Sequence, residues 1–271
     1  MTKQGIIGRP LEPGLMTEMG ALGGYPSDKG FDPDSDWEHV YRIWSSYGYW
    51  HKNNKNDGWL KITRRVIREG GTQILNVKQL TNNATGRSSE QAVFNVIEAE
   101  VTCRLDQYAA PQDWTFASRF IYEDDHEKLP QSGLSKTGRI ADDKLIVNTN
   151  GQERTHALTA PVASNWSLFE AVQRLPSVDH TALDFTYLED LSMIKEGHKI
   201  SYQGLLPSVW RENKIKLHRF QHTGSGIFPF EYWLNSDHKL LLAVTGPRAY
   251  ILDDMAEHIF DESHPAIVEM V

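Results

Sequence analysis

The last third of the chain contains four short runs of apolar and aromatic residues that are separated by turn-forming residues. The runs are KIKLHRFQH, IFPFEYWL, KLLLAV and RAYIL, and the segments between them are TGSG, NSDH and TGP. Each run has the length of one strand, and each connection is short enough for a hairpin. Residues 214–253 are therefore predicted to form four consecutive antiparallel strands.

The chain upstream of these strands follows the same period of two, and one segment departs from it. Alternating apolar residues recur in VYRIWSSYGYWH, WLKITRRVI, TQILNVKQL, AVFNVIEAEVTCRL and TFASRFIY, which is typical of strands with one buried face. After Pro161, the segment SNWSLFEAVQRL has apolar residues at helical spacing behind Ser164 or Asn165 as the N-cap. This pattern predicts one short helix that caps an end of the sheet.

These patterns together predict an all-β fold. An antiparallel meander of this length is expected to close, or nearly close, into a barrel, and a lipocalin-like architecture is one form of such a barrel. Residues 1–36 are rich in Gly and Pro and lack periodic apolar residues, so we expect an extended N-terminal arm that adds little to the core. Residues 37–271 are expected to form a single antiparallel β-barrel domain.

The composition excludes several classes of function. The chain carries 28 Lys and Arg against 36 Asp and Glu, a formal charge of −8, so we expect no nucleic-acid partner, because that binding depends on clustered basic residues. Cys103 is the only cysteine and follows the apolar face of its run, which predicts a buried, unreactive thiol and no intramolecular disulfide. A membrane span and a leader are not expected, so the protein is either cytoplasmic or a secreted or periplasmic protein whose leader was removed.

His218 and Glu231 are the first candidates for a catalytic pair. If TGSG is a four-residue loop, His222 lies opposite Ile227 and His218 lies opposite Glu231 across the hairpin. A carboxylate beside an imidazole orients the ring and raises its basicity, as a general base requires. The alternative interpretation is a half-exposed ion pair on the surface of the sheet.

The same register places three more side chains on the face of His218, where we expect them to line a ligand pocket. They are Phe220, His222 and Trp233. A metal ion is not expected there, because His218 and His222 are four residues apart on one strand, about 13 Å at the strand rise. No glycine-rich phosphate loop follows a strand, and no cofactor is predicted.

Three residues near the end of the chain complete the predicted catalytic set, namely Tyr232, Arg248 and Tyr250. Arg248 and Tyr250 alternate onto one face of the last strand. A guanidinium in this position can stabilise a phenolate and can bind a substrate carboxylate with two hydrogen bonds. The alternative is an ordinary strand end without chemistry.

Three functions stay open at this point. The leading one is binding of a small molecule or an oligosaccharide in an aromatic-lined barrel pocket, with carbohydrate favoured because Trp and Tyr combine an apolar face with a polar edge. The alternative is a cofactor-free acid–base enzyme, a lyase, isomerase or hydrolase, that uses the catalytic set. A structural sheet that pairs with a partner through an edge strand is the third. The oligomeric state is not predicted.

Overall fold

The computed structural model describes residues 11–26, 30–46, 55–82, 93–122, 133–178 and 181–268. The strands are β1 (Trp37–Ser45), β2 (Lys55–Ile67), β3 (Thr72–Asn82), β4 (Val93–Arg104), β5 (Pro111–Tyr122), β6 (Gly133–Ala141), β7 (Lys144–Thr149), β8 (Gln152–Ala157), β9 (Val162–Ser164), β10 (Ala182–Glu189), β11 (Met193–Trp210), β12 (Asn213–Thr223), β13 (Phe230–Leu234), β14 (Leu240–Thr245) and β15 (Arg248–Leu252). The helices are α1 (Pro13–Glu18), α2 (Ser167–Arg174), α3 (Ala256–Ser263) and α4 (Pro265–Val268).

All of these strands belong to one sheet. Its order is β8-β7-β6-β5-β4-β3-β2-β1-β15-β14-β13-β12-β11-β10-β9, and the neighbours pair antiparallel except for β9 and β10, which are parallel. The predicted all-β meander is thus confirmed, and β12 to β15 are the four strands expected between residues 214 and 253. Within the described ranges β8 and β9 each pair with one neighbour, so the barrel is nearly closed rather than closed.

Side chains, rather than a backbone ladder, join the two ends of the curled sheet. The turn between β10 and β11, residues 190–192, is here called the closing turn. Trp114 Nε1–H on β5 donates to the carbonyl of Leu191 at 3.1 Å. Lys136 Nζ on β6 donates to the carbonyl of Asp190 at 3.1 Å and to Ser192 Oγ at 2.6 Å. Two early strands are therefore fastened to a turn that lies far away in the chain.

The predicted helix α2 is present and lies on the inner face of the sheet. Residues 167–173 are all buried, so α2 fills the interior. The Ser167 N–H donates to Ser164 Oγ at 3.0 Å, and the Ser164 N–H donates to Ser167 Oγ at 2.8 Å. This reciprocal pair satisfies a backbone donor of the first turn, as a capping box does. Ser164 therefore supports the first turn, although the N-cap residue is Trp166 rather than the predicted Ser164 or Asn165.

The helix brings a charged side chain into the interior. Glu170 is 1% exposed and accepts from Arg174 at 2.5 and 2.8 Å. Arg64 on β2 lies 3.0 Å from the same carboxylate. A buried carboxylate is tolerated only when it is paired and hydrogen-bonded, so these two arginines allow α2 to occupy the centre of the fold.

The N-terminal arm differs from the sequence expectation. Leu15 and Met16 of α1 are 1% and 0% exposed, and Thr17 Oγ1 donates to the carbonyl of Val209 at 3.0 Å. The expectation that the arm adds little to the core is wrong for these residues. Its Gly and Pro content indicated irregular backbone, but it did not reveal that a short apolar segment, Gly14-Leu15-Met16, would meet β11. Helix α3, which packs against β1 and β2, was likewise not expected from the sequence.

Candidate functional site

A cavity of about 660 Å³ opens on the inner face of the sheet, beside the start of α2. It is called the inner cavity below. Its aromatic lining residues are Trp166, Tyr187, Phe228, Phe230 and Tyr250. Its polar lining residues are Gln79, Asn95, Asn165, Glu189, Asp190, Thr245 and Arg248. Strands from both halves of the chain thus contribute to one concave site.

One wall of the inner cavity is a set of aromatic rings. Phe230 and Tyr232 are stacked with ring centroids 5.0 Å apart, and Phe230 and Tyr250 are stacked at 6.2 Å. Phe169 of α2 meets Tyr232 and Tyr250 edge-on at 6.0 and 5.4 Å. Such stacked and edge-on contacts hold the rings in fixed positions. Phe230 and Tyr250 therefore form a firm apolar surface that faces the cavity.

The other side of the inner cavity carries hydrogen-bonding groups. Asn165 Nδ2 donates to Asp190 Oδ1 at 3.3 Å, and the Asp190 N–H donates to Asn165 Oδ1 at 3.1 Å. Burial raises the pKa of the Asp190 carboxyl above its ordinary value. Glu189 forms an ion pair of 2.8 Å with Lys195. Amides and carboxylates are thus held in place at the edge of the cavity.

The predicted pairing of His218 with Glu231 is wrong. In the β12–β13 ladder His218 lies opposite Leu234 and Gln221 lies opposite Glu231, so His218 and Glu231 are on opposite faces of the sheet. The reason is the loop. Pro229 has no N–H to donate to a ladder, and β13 begins only at Phe230. The loop is therefore longer than TGSG, and the shift of three residues exchanges the faces of β12.

Glu231 instead belongs to the outer face. It accepts from Arg219 Nε at 2.6 Å and Arg219 Nη2 at 2.8 Å, and from Gln221 Nε2 at 2.7 Å. Trp233 lies on this face as well, beneath the guanidinium of Arg219 at 5.4 Å. Glu231 therefore forms an ion pair on the surface of the sheet, as the alternative interpretation of this residue expected. Its partner is Arg219 rather than His218.

The expected aromatic wall of Phe220 and Trp233 does not form, because these rings lie on opposite faces. Phe220 is fully buried on the inner face, 5.1 Å from the ring of Tyr202. His218 lies nearby, where its Nδ1 is 2.9 Å from Tyr202 Oη and its ring is 5.0 Å from that of His238. Burial, and then the charge of His238, lowers the pKa of His218.

Of the predicted catalytic residues, Arg248 and Tyr250 line the inner cavity. Tyr232 supports the aromatic wall from behind, since it is 1% exposed and burial raises the pKa of its hydroxyl well above the ordinary value. His222 lies below the cavity lining, fully buried. Its Nε2 is 2.8 Å from Nδ1 of His198, a partner that sequence reasoning missed.

Several residues of the site carried no usable signal in the sequence. Tyr187, Glu189 and Asp190 come from β10 and the closing turn, about sixty residues before Tyr250. Only the curling of the sheet brings them to the cavity. In the part of the chain that the structure describes, no group of three or more His, Cys, Asp or Glu side chains is arranged to hold a metal. Cys103 is fully buried, as predicted, and burial raises the pKa of its thiol.

The fold and the cavity define a β-barrel-like protein whose curled sheet surrounds a helix. The chain matches no protein family and no curated protein. It is similar in structure to a beta-barrel-like protein of the domain of unknown function DUF1849 from Brucella abortus. The TM-score is 0.51 at 10% identity, and the match covers 81% of this chain and 96% of that one. At this identity the likeness shows the fold alone.

No helix in the described part of the chain combines the length and the apolar character that crossing a bilayer requires.

Proposed function

We propose that the protein binds a small carbohydrate in the inner cavity. The observation that carries the proposal is the juxtaposition of two kinds of surface. Phe230 and Tyr250 present stacked rings on one side, and Asn165, Glu189 and Asp190 present amide and carboxylate groups on the other. A sugar ring needs both, because its C–H face packs on an aromatic ring while its hydroxyls need donors and acceptors.

The size and shape of the inner cavity support this function. Pockets for small ligands have volumes of about 300–1,000 Å³ and are lined by apolar side chains with a few fixed polar groups. The inner cavity, at about 660 Å³, lies within that range. Both carboxylates of the cavity are already paired, because Asp190 accepts a hydrogen bond from Asn165 and Glu189 forms an ion pair with Lys195. The polar groups are therefore held in place before a ligand arrives, which lowers the entropic cost of binding.

The acid–base enzyme is supported less well by the same residues. It requires several members of the predicted catalytic set to converge, whereas Arg248 and Tyr250 line the inner cavity without His218, Glu231 or Tyr232. Arg248 suits the carboxylate of an acidic sugar as well as that of a substrate. Binding therefore explains the arrangement with fewer requirements than turnover does.

Calorimetry against a panel of neutral and acidic mono- and oligosaccharides tests the proposal. We expect Tyr250→Ala to weaken the affinity at least tenfold, because the stacking surface is lost. Tyr108→Ala is the matched control. Tyr108 is half-buried and lines a second cavity of about 660 Å³, so this change should leave the affinity unaltered.

The proposal fails if no sugar of the panel binds, or if Tyr250→Ala and Tyr108→Ala weaken binding equally. Analysis of the bound sugars for chemical change in the same samples addresses the enzyme alternative. Conversion of a sugar by the wild-type protein but not by Tyr250→Phe, which lacks only the hydroxyl, would replace binding with catalysis.

A further inference from the structure

Two buried histidines hold the loop that borders the inner cavity. His198 on β11 and His222 on β12 are both 0% exposed. His198 Nδ1 lies 2.8 Å from His222 Nε2, and His198 Nε2 lies 3.1 Å from the carbonyl oxygen of Ser225. His222 Nδ1 is buried and has no hydrogen-bond partner among the described residues. The two rings and the carbonyl thus form a chain that begins at an unsatisfied nitrogen.

The carbonyl at the end of this chain fixes the position of every proton. Ser225 O can only accept, so His198 Nε2 carries a hydrogen and the Nδ1 of a neutral His198 is bare. His222 Nε2–H must therefore donate to His198 Nδ1, which leaves His222 Nδ1 bare as well. The neutral pair satisfies both contacts with one hydrogen in each.

An added proton does not fit this arrangement. If the pair takes one proton and keeps its short contact, His222 Nδ1 becomes an N–H that is buried without an acceptor. If both rings are protonated, two N–H groups face each other between His198 and His222. Either state carries a buried charge or donor without compensation. The unfavourable free energy of the protonated pair is removed only when the contacts around His198 and His222 break and water reaches the rings.

The element that can open is the loop of residues 224–229, here called the latch loop. Besides the bond from His198 to Ser225, Lys195 Nζ donates to the carbonyl of Gly226 at 2.8 Å. Gly224 lies directly on the His198 ring, since a Cβ there would approach the ring to 2.4 Å. The loop then lines the inner cavity with Gly226, Ile227 and Phe228, and Phe228 is 68% exposed.

We propose that protonation of the His198–His222 pair releases the latch loop and opens the inner cavity. The inference rests on the proposed function in one respect, because the opening matters for a ligand only if the cavity binds one. The loop movement itself does not depend on any ligand. The protein would then hold its ligand at neutral pH and release it in acid.

Other titratable groups also lie near the pair. They are Tyr187 and Glu189 on β10 and Lys195 on β11. Phe185 on β10 packs against both rings, and Phe230 on β13 lies opposite His222 in the ladder. Burial raises the pKa of Tyr187. Burial, and then the charge of His198, lowers the pKa of His222 to about 3. Burial also lowers the pKa of His198.

These directions give the sign of the pH effect. The closed state holds fewer protons than the open state, whose histidines titrate near their ordinary pKa of about 6.5. As the pH falls below that value, the ratio of open to closed loop rises by up to about tenfold per pH unit for each histidine. Above about pH 7 the closed loop should not respond to pH.

Nuclear magnetic resonance of the ligand-free protein tests the release directly. Between pH 7.5 and 4.5 we expect the amide signals of Gly224 and Gly226 to shift and the His198 Nε2–H signal to exchange faster with water. The double variant His198→Gln/His222→Phe removes both titrating rings, and its loop signals should not respond to pH. In the control His218→Gln, which changes a histidine outside the pair, the loop should respond as in the wild type.

Two results would overturn the inference. One is a latch loop whose signals stay constant over this pH range in the wild type, and the other is a response that persists in the double variant. If the double variant does not fold, His198→Gln alone serves, because its amide can still donate to Ser225 O. A response that persists in this variant at wild-type size would equally overturn the inference. Because no sugar is present, a failure here leaves the binding proposal intact, and a failure of sugar binding leaves the loop movement intact.

Discussion

The inner cavity has two walls that are built in different ways. One wall, called the laddered wall, consists of β13, β14 and β15, whose backbones are paired from Phe230↔Thr245 to Thr245↔Arg248. The other, called the latched wall, consists of the closing turn at the end of the β10–β11 ladder and the latch loop between β12 and β13. Side-chain hydrogen bonds hold both segments against neighbouring strands. A ladder fixes a surface through many cooperative contacts, whereas a latch depends on a few. The difference indicates that a ligand meets a rigid surface on one side and a releasable one on the other.

The largest expected effect distinguishes a phenylalanine that supports the laddered wall from one that lies in the latched wall. Phe169, which supports the laddered wall, is 3% exposed, and Phe228 in the latch loop is 68% exposed. Phe169→Ala should lower the free energy of unfolding by about 3–5 kcal/mol, because it leaves a cavity among four aromatic rings. Phe228→Ala should change it by less than about 0.5 kcal/mol. Urea unfolding of both variants measures the difference, and equal losses would remove the distinction between the walls.

The pH dependence of stability should come from the histidine pair that holds the latched wall. Since the pKa of His222 is lowered to about 3 in the fold, the unfolded chain binds more protons than the native one below pH 6.5. The stability is therefore fully present above about pH 6.5 and is lost as the pH falls, by about 2 kcal/mol at pH 5.

Unfolding curves at several pH values compare the wild type with His222→Phe. The variant should lose distinctly less stability on acidification than the wild type does. A wild-type stability that does not fall between pH 7 and 5 would contradict the neutral, buried state of the pair. An equal fall in His222→Phe would assign the effect to other groups.

Much of the laddered wall could be predicted from the sequence, because its determinants are local. The alternation of apolar residues in Phe230, Tyr232 and Leu234 follows from the strand period, and the positions of β12 to β15 followed from turn residues. The register across β12 and β13 could not be predicted in the same way. The register depends on the number of unpaired residues in the loop between β12 and β13. If that number is wrong by an odd count, His218 is assigned to the wrong face of the sheet.

The latched wall could not be predicted at all, and the reason is distance along the chain. Trp114 and Leu191 are separated by 77 residues, and His198 and His222 by 24. The first contact joins a side chain to backbone and the second joins two side chains, and no local sequence pattern indicates either. The candidate site residues found from the sequence, Arg248 and Tyr250, belong to the laddered wall, whereas the missed residue His198 holds the latch loop of the latched wall.

Two tryptophans test the contribution of a single latch bond. Trp114 and Trp59 are 4% and 3% exposed, so Trp→Phe removes a similar apolar area at each. Trp114 Nε1–H donates to Leu191 O, whereas Trp59 Nε1 has no hydrogen-bond partner among the described residues. Trp114→Phe should therefore cost about 1–2 kcal/mol more than Trp59→Phe, since it leaves a buried carbonyl unsatisfied. Thermal melts of both variants check this, and a larger loss in Trp59→Phe would show that packing outweighs the bond.

The smallest effect on stability is expected at Lys195, the second contact of the latch loop. Its ammonium group bonds to Gly226 O and pairs with Glu189, and both charged side chains are partly exposed, so Lys195→Met should lower the free energy of unfolding by less than about 1 kcal/mol. Its effect on binding should be larger in relative terms, because the loop loses a contact while the laddered wall stays intact. We expect dissociation of a bound sugar to accelerate several-fold at neutral pH.

Lys199→Met, an exposed change on the same strand, should leave that dissociation rate unaltered. Stopped-flow displacement measures both rates, and equal rates in the two variants would mean that the latch loop does not retain the ligand.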